Sequence, residues 1–327
     1  MKKSLFLFLF LLVSLIQAQP SDEKINTLIE RFVELGQFSG SVLVAENDEI
    51  ILSKGYGFAN QEWEIPNSPD TKFRIGSVTK QFTSMLIFQL LEEGKLSLDD
   101  KLSDHLDYYR KDTGEKITIL QLLNHTSGIP SYTNADSFFQ KTGKIKADPK
   151  EFILEYCSGD LDFEPGSQFV YNNSAYFILG AVVEEITGTT YEQALTKMIL
   201  EPLEMSCTGY DYHLKIIAKR ADGYRKTYIF PQNDDFVDMS TPYAAGALYS
   251  TTGDLFKWHK GLLSNKLISE ETKKIMLTPV KNDYANGWFV QKMKFESGDS
   301  ITAYSHSGGI NGFNSLIYRV PEKNQVV

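Results

Sequence analysis

The stretch from Phe73 to Gly94 constrains this chain more than any other. Val78, Phe82, Met85, Leu86, Ile87, Phe88, Leu90 and Leu91 fall around most of the circumference of a helix, and a helix that is apolar on nearly all sides belongs in a core. Gly94 supplies the stop. Near the start of this helix stands Ser77-Val-Thr-Lys80. Residues three apart on a helix are neighbours, about 5 to 6 Å between Cβ atoms, so the Lys80 amine reaches the Ser77 hydroxyl. That is the spacing of a nucleophile and its base. Ser-x-x-Lys also describes an ordinary helix start with a solvated lysine. Here the lysine sits on an apolar helix, where an ammonium is costly unless paired or deprotonated.

The first 18 residues differ from the rest. Lys2 and Lys3 precede an apolar run from Leu5 to Val13 that resumes at Leu15 and Ile16 and ends in Gln17-Ala18-Gln19. This reads as a secretory signal peptide cleaved after Ala18, with an uncleaved anchor as the competing reading. The run is shorter than the about 20 apolar residues of a transmembrane helix, and no later segment offers such a run. The expected product is periplasmic or secreted, with no stable membrane anchor. In that oxidising setting Cys157 and Cys207 leave two options open, one bridge or two free thiols. The formal charge is -9, and losing Lys2 and Lys3 makes it -11, which disfavours nucleic acid and anionic membrane as partners.

In chain order, Ser21 can cap a helix whose Ile25, Leu28, Ile29, Phe32 and Val33 share one face, predicted to lie on a flat surface. Ser41–Ala45 and Ile50–Ser53 read as a hairpin around Glu46-Asn-Asp-Glu49, and Gly55 and Gly57 mark irregular backbone. Helix signals then dominate. Thr118-x-x-Gln121 and Thr190-x-x-Gln193 are capping boxes, and Asp148-Pro149 is a cap followed by proline at the first helical position, opening a helix through Tyr156. Asn173 or Ser174 opens an apolar helix from Ala175 to Ile186 that Gly188 ends. Further helices are predicted from Asp254 and over Ser269–Leu277, after the small-residue stretch Ala244–Ala247. Strands return at Gly287–Val290, Ile301–His306 and Phe313–Tyr318, with turns at Ser297-Gly298-Asp299 and Pro321–Asn324. The implied fold class is α+β: a mostly antiparallel sheet built from both ends of the chain and flanked by helices, plus an all-helical lobe. Residues 19–327 form one catalytic domain, with an α/β lobe over about 22–76 and 241–327 and a helical lobe over about 77–240. The cleft between them is the default place for a site.

Two further groups join Ser77 and Lys80. Tyr171-Asn172-Asn173 lies between the turn Glu164-Pro165-Gly166 and an apolar helix, so it faces a boundary. A phenol near an ammonium has its pKa lowered from about 10, which would make Tyr171 a base or proton relay. The plainer account is that Tyr171 packs and an asparagine caps the helix. His306-Ser307-Gly308-Gly309 ends a strand, where glycines let a substrate backbone come close. Read plainly, it is a bulge or turn with an incidental histidine.

Taken together and in order, Phe73-Arg-Ile-Gly-Ser-Val-Thr-Lys80, Leu98-Asp-Asp100, Leu122-Leu-Asn-His-Thr-Ser-Gly128, Pro165-Gly166, Tyr171-Asn-Asn173, Gly246 and His306-Ser-Gly-Gly309 resemble the serine β-lactamase and penicillin-binding protein superfamily. The resemblance is to its class C-like branch of DD-peptidases, esterases and related hydrolases, and it runs from Ser41 to the last residue. It implies that Ser77 is the acylated nucleophile, Lys80 the amine that activates it, and Tyr171 the phenolate-type base that passes the proton to the leaving group and activates the deacylating water. It implies that Asn173 holds the substrate amide and that the backbone N–H groups of Ser77 and Gly309 form the oxyanion hole, with His306 and Gly308 beside the substrate. It implies no metal or organic cofactor.

His306 departs from the best-known pattern, Lys-Thr-Gly, whose lysine attracts a substrate carboxylate. A histidine is mostly neutral at pH 7, which weakens the case for efficient β-lactam hydrolysis and leaves acyl transfer untouched. His105, His125, His213 and His259 show no metal-ligand spacing and read as structural or surface. No G-x-S-x-G elbow is present. The chain reaches Val327 two residues into a strand that the resembling family completes and follows with a helix, so an incomplete chain is expected. The function expected is a serine hydrolase forming an acyl-enzyme on Ser77 and cleaving amides or esters of small molecules or cell-wall-type peptides, as a D-alanyl-D-alanine carboxypeptidase or esterase does. The alternatives are a class C-like β-lactamase and a non-catalytic penicillin- or peptide-binding sensor.

Overall fold

The N-terminal hairpin and the C-terminal strands share one sheet. In the computed structural model, which describes residues 22–135, 138, 141–227, 230–294, 298 and 300–327, helix α1 (Asp22–Glu34) precedes strands β1 (Gly40–Glu46) and β2 (Glu49–Tyr56). The leader-like residues 1–18, the cap Ser21 and turn residues Ser297 and Asp299 lie outside the described residues. Asn47 and Asp48, both at positive φ (52° and 66°), make the two-residue turn, the geometry whose twist matches that of a hairpin. Helices α2 (Thr79–Glu92), α3 (Ile119–Leu123), α4 (Pro149–Tyr156), α5 (Asn173–Thr187) and α6 (Tyr191–Leu195) follow, then α7 (Thr252–Leu263) and α8 (Glu270–Met276). Strands β3 (Tyr284–Ala285), β4 (Trp288–Lys294), β5 (Ser300–Ile310), β6 (Phe313–Val320) and β7 (Gln325–Val326) complete an antiparallel seven-stranded sheet in the order β3-β4-β5-β6-β7-β1-β2. This is the α+β architecture that the sequence implies.

The helix caps form where predicted. Thr118 and Thr190 each close a capping box with Gln121 and Gln193, Asp148 caps α4 ahead of Pro149, and Gly188 ends α5 at φ 64°. The opening of α5 resolves an ambiguity: Asn172 is the cap, its side chain accepting the Ala175 N–H at 2.9 Å, which frees Asn173 on the first turn to point elsewhere. Helix α1 differs from expectation. It rests on β2 through Asn26 Oδ1, which accepts from Lys54 and from the Tyr56 hydroxyl, yet no residue of α1 is buried and Leu28 is 61 % exposed. Periodicity identifies an apolar face but does not say how much of it is covered.

Helix α2 is the centre of the molecule. Val78, Phe82, Leu86, Ile87, Phe88 and Leu90 are fully buried, and Phe82 stacks on Trp258 of α7 with centroids 4.4 Å apart. Its polar residues are buried too, so each needs a partner. Thr83 Oγ1 donates to Ala244 O (2.6 Å), Ser84 Oγ donates to Asn286 O (2.7 Å), Thr79 Oγ1 accepts the Leu248 N–H (3.2 Å), and Gln81 Oε1 accepts the Trp258 Nε1–H (2.9 Å). These bonds tie α2 to the segment Tyr243–Ser250, to α7 and to the sheet, and so fix where its first turn points.

Cys157 is buried and Cys207 half-buried; both are free thiols. Among the described residues no helix is long and apolar enough to cross a membrane, and no cluster of three metal-ligating side chains occurs.

Candidate active site

Ser77 lies in a tight 3-10 turn, Gly76–Val78, that leads into α2, so its N–H falls among those a helix start leaves without an intrahelical acceptor. Gly76 adopts φ +47°, and a Cβ there would lie 2.9 Å from Gly309 N and O. Only glycine permits that approach, and it brings the Ser77 turn onto β5 beside Gly309. The β5–β6 hairpin closes on Ile310 and Phe313, making that pair hydrogen-bonded. By antiparallel alternation the next pair, Gly309 and Asn314, turn their N–H groups away from each other. Gly309 N–H therefore faces outward, on the side of β5 where pairing with β4 has ended at Ser305. Two backbone donors thus flank the Ser77 hydroxyl, as an oxyanion site requires.

In the first turn of α2, the Lys80 amine lies 3.1 Å from Ser77 Oγ, 2.8 Å from Asn173 Oδ1 and 2.8 Å from Ala245 O. Lys80 is wholly buried with no carboxylate against it among the described residues, and burial drives its pKa well below the ordinary 10.5. A neutral amine has two N–H donors and one lone pair. An ammonium donates to all three oxygens, whereas a neutral amine gives its two donors to the carbonyls and turns its lone pair to the Ser77 hydroxyl.

Tyr171 packs its ring under the same amine, with Lys80 Nζ 4.8 Å from the ring centroid. Its hydroxyl is buried and makes no well-formed hydrogen bond; Ser77 is the neighbour that favours the ionised phenol, and burial outweighs it, pushing the pKa well above the usual 10. The sequence expectation of a lowered pKa is therefore corrected. It weighed the ammonium beside the ring and not the burial of the phenol itself, which is the larger cause. Burial disfavours the charged form of both groups, the Lys80 ammonium and the Tyr171 phenolate.

The sequence fragment Phe73–Lys80 and the segments around 125, 171 and 306 converge here, and the wider chain follows suit. The β-lactamase family model matches residues 25–327. This chain belongs to the β-lactamase family. Among its relatives is protein flp of Staphylococcus aureus strain MRSA252, 32% identical over 319 residues that cover 93% of this chain and 61% of flp. The chain thus spans less than two thirds of that relative. The putative penicillin-binding protein PbpX of Bacillus subtilis strain 168 is 30% identical, with 91% of this chain and 73% of PbpX covered. A penicillin-binding protein from Bacillus halodurans superimposes with a TM-score of 0.78 at 28% identity, covering 91% of this chain and 93% of that one.

Within this β-lactamase fold the predicted residues divide into two groups. Ser77, Asn173 and Gly309 line an open cleft together with Tyr132, Thr133, Tyr224 and Phe313. Beneath it Lys80 is buried and Tyr171 is half-buried, with its hydroxyl enclosed. Asn173 is held at both ends: its Oδ1 accepts from Lys80 and its Nδ2 donates to Thr133 Oγ1 at 3.0 Å, leaving one N–H for the cleft.

Gly308 and His306, also expected beside the substrate, are enclosed by protein. A Cβ on Gly308 would lie 2.0 Å from Ile75 O, so this glycine admits the backbone before Ser77 and not a substrate. His306 is 2% exposed. Its Nδ1–H donates to Ser307 O at 2.6 Å and its Nε2 accepts from the Tyr284 hydroxyl at 3.2 Å, so both nitrogens are used inside the protein. Burial, with Lys80 as a lesser cause, lowers its pKa to about 3. Alternation along a strand says which residues share a face; it does not say which face the neighbouring helix covers. Sequence reasoning also set aside His125, which the fold buries against Tyr171 at 4.4 Å between centroids. Its one available signal was its position inside Leu122–Gly128.

A histidine that is neutral in the fold and protonated when unfolded destabilises at low pH. The folded pKa of His306 is about 3 against the usual 6.5, so its contribution is fully present above about 6.5 and is lost as pH falls toward 3. Urea unfolding of the natural protein is expected to show a midpoint that drops between about pH 6.5 and pH 4, and His306→Gln, with no titrating group there, is expected to reduce that slope. An unchanged slope would mean that His306 is protonated in the fold.

Proposed function

We propose that this chain is an exported serine hydrolase that cleaves esters or amides through an acyl-enzyme on Ser77, with a preference for leaving groups that carry no carboxylate. In this reading Lys80 takes the Ser77 proton as Oγ bonds to the substrate carbonyl carbon. The carbonyl oxygen, now an anion, is held by the Ser77 and Gly309 N–H groups. Tyr171, still a phenol, gives its proton to the leaving group as the bond to carbon breaks, and the phenolate left behind is offset by the Lys80 ammonium beneath it. Water then attacks the ester, loses a proton to the phenolate, and Lys80 returns the proton to Ser77 Oγ. Every proton is restored.

The observation that carries the preference is the state of His306. A neutral, buried imidazole whose nitrogens are both occupied supplies no positive charge to a carboxylate in the cleft. In this reading acyl-D-alanyl esters and amides rank ahead of D-alanyl-D-alanine termini and of penicillins, both of which present a carboxylate. Paired D-alanyl esters, one with an uncharged alcohol and one with D-lactate as leaving group, test it through kcat/KM. The uncharged alcohol is expected to be favoured by about tenfold or more, the equivalent of one charge-assisted contact. A preference for D-lactate, or efficient penicillin turnover, would overturn the assignment.

A further inference from the structure

We propose that His125 is the positioning residue for Tyr171. The inference rests on the reading of Tyr171 as the proton donor, and concerns what holds that donor in place.

One residue grips the chain on both sides of Tyr171. The carbonyl of His125 accepts the Val170 N–H at 3.0 Å, and its ring Nδ1 accepts the Asn172 N–H at 3.1 Å. Its imidazole lies against the Tyr171 ring at 4.4 Å between centroids and 46° between planes. Tyr171 is thus bracketed before, after and from one side by the same residue. A backbone N–H can only donate, so Nδ1 is the bare nitrogen and the ring proton is on Nε2. That tautomer is fixed by the fold.

Two features show that ordinary packing is not the reason for a histidine here. His125 has φ +61°, a left-handed conformation that costs energy for any residue with a Cβ and that Asn and Gly adopt most easily. Its Nε2 is buried with no hydrogen-bond partner, among the rings of Tyr171, Tyr176 and Tyr284. An apolar side chain would fill the same space without an orphaned donor. What the imidazole offers that an apolar group does not is the Nδ1 acceptor, and Asn172 uses it. The same Asn172 caps α5, so His125 also ties Tyr171 to the start of the helix that carries Asn173.

The strain and the acceptor are separable by substitution. His125→Gly relieves the left-handed backbone but removes the acceptor. His125→Asn tolerates the same φ and places Oδ1 near the position of Nδ1. With the uncharged D-alanyl ester, His125→Gly is expected to lose about 10²-fold in kcat, the scale of an ångström-sized misplacement of a catalytic group, while KM changes little. His125→Asn is expected to recover all but about fivefold of that loss, since the acceptor is restored without the ring. Thermal unfolding of each variant shows that it is folded; should the glycine variant not fold, the asparagine variant decides alone, by whether its kcat stays within that range. Full kcat in His125→Gly, or an asparagine variant as slow as the glycine one, overturns the proposal. Tyr171→Phe is measured beside them. If Tyr171→Phe is itself fully active, the reading of Tyr171 fails. If Tyr171→Phe is slow and His125→Gly is not, only the positioning role of His125 fails.

Discussion

Replacing Ser77 with alanine is expected to abolish covalent labelling and to lower ester hydrolysis by about 10⁴- to 10⁶-fold, the range seen when a serine nucleophile is removed from an otherwise intact site. The reasoning is geometric. The Ser77 hydroxyl lines the open cleft, sits beside two outward-facing backbone donors and has a desolvated amine 3.1 Å from its oxygen. The other oxygens on that amine are the carbonyls of Asn173 and Ala245, which are not nucleophiles. Intact-mass measurement after brief exposure to a small activated ester, and separately to penicillin, provides the test. The natural protein is expected to gain one acyl group from the ester and then lose it with turnover. Ser77→Ala is expected to gain none. A labelled alanine variant would place the nucleophile elsewhere; a natural protein that is labelled once and never turns over would be a sensor in place of a hydrolase.

Much of this arrangement could be read from the order of residues alone, and the parts that could not have a common physical cause. Helix α2 was legible because a helix that is apolar on all sides is stable in water only when it is enclosed by the rest of the fold. The caps at Thr118, Asp148 and Thr190 were legible because they depend on residues a few positions apart. Asn172 and Asn173 were not separable as cap and site residue, since either can cap; only the finished α5 shows that Asn172 bonds Ala175 and leaves Asn173 to Lys80. The sign of the Tyr171 shift was misread because it follows from how completely the fold encloses the phenol hydroxyl, which no neighbouring residue in the sequence reveals. His306 and Gly308 were placed on the right strand but given the wrong surroundings, because Ile75 and Tyr284 reach them only through tertiary packing. His125 and Ala245 left no local mark that distinguishes a site residue from a core residue. Short-range patterns thus survive translation into structure, whereas the charge state of a buried group is a property of the whole fold.

Lys80→Met is expected to separate the two things that Lys80 does. Methionine keeps the length and most of the volume of the side chain and removes the amine. Ester hydrolysis is expected to fall by about 10²- to 10⁴-fold, the usual contribution of a positioned base, with the Ser77 oxygen still in the cleft. Stability should respond differently at different pH. The folded-state pKa of Lys80 lies well below the 10.5 of an exposed lysine, so between those values the unfolded chain binds a proton that the folded one does not. Stability then rises with pH across that window, is fully present above the unfolded pKa and is lost as pH falls through the folded one. The variant has no such term, though it does orphan the two carbonyls that Lys80 bonded, at about 1 to 3 kcal/mol each and with no dependence on pH. The difference in urea unfolding free energy between natural protein and variant is therefore expected to shift in favour of the natural protein from about pH 7 to about pH 9.5, the ionisation of tyrosines in the unfolded chain being common to both proteins. A difference that stays flat while the rate collapses would mean that Lys80 rests as an ammonium, with its three hydrogens on Ser77, Asn173 and Ala245. Tyr171 would then be left to take the serine proton.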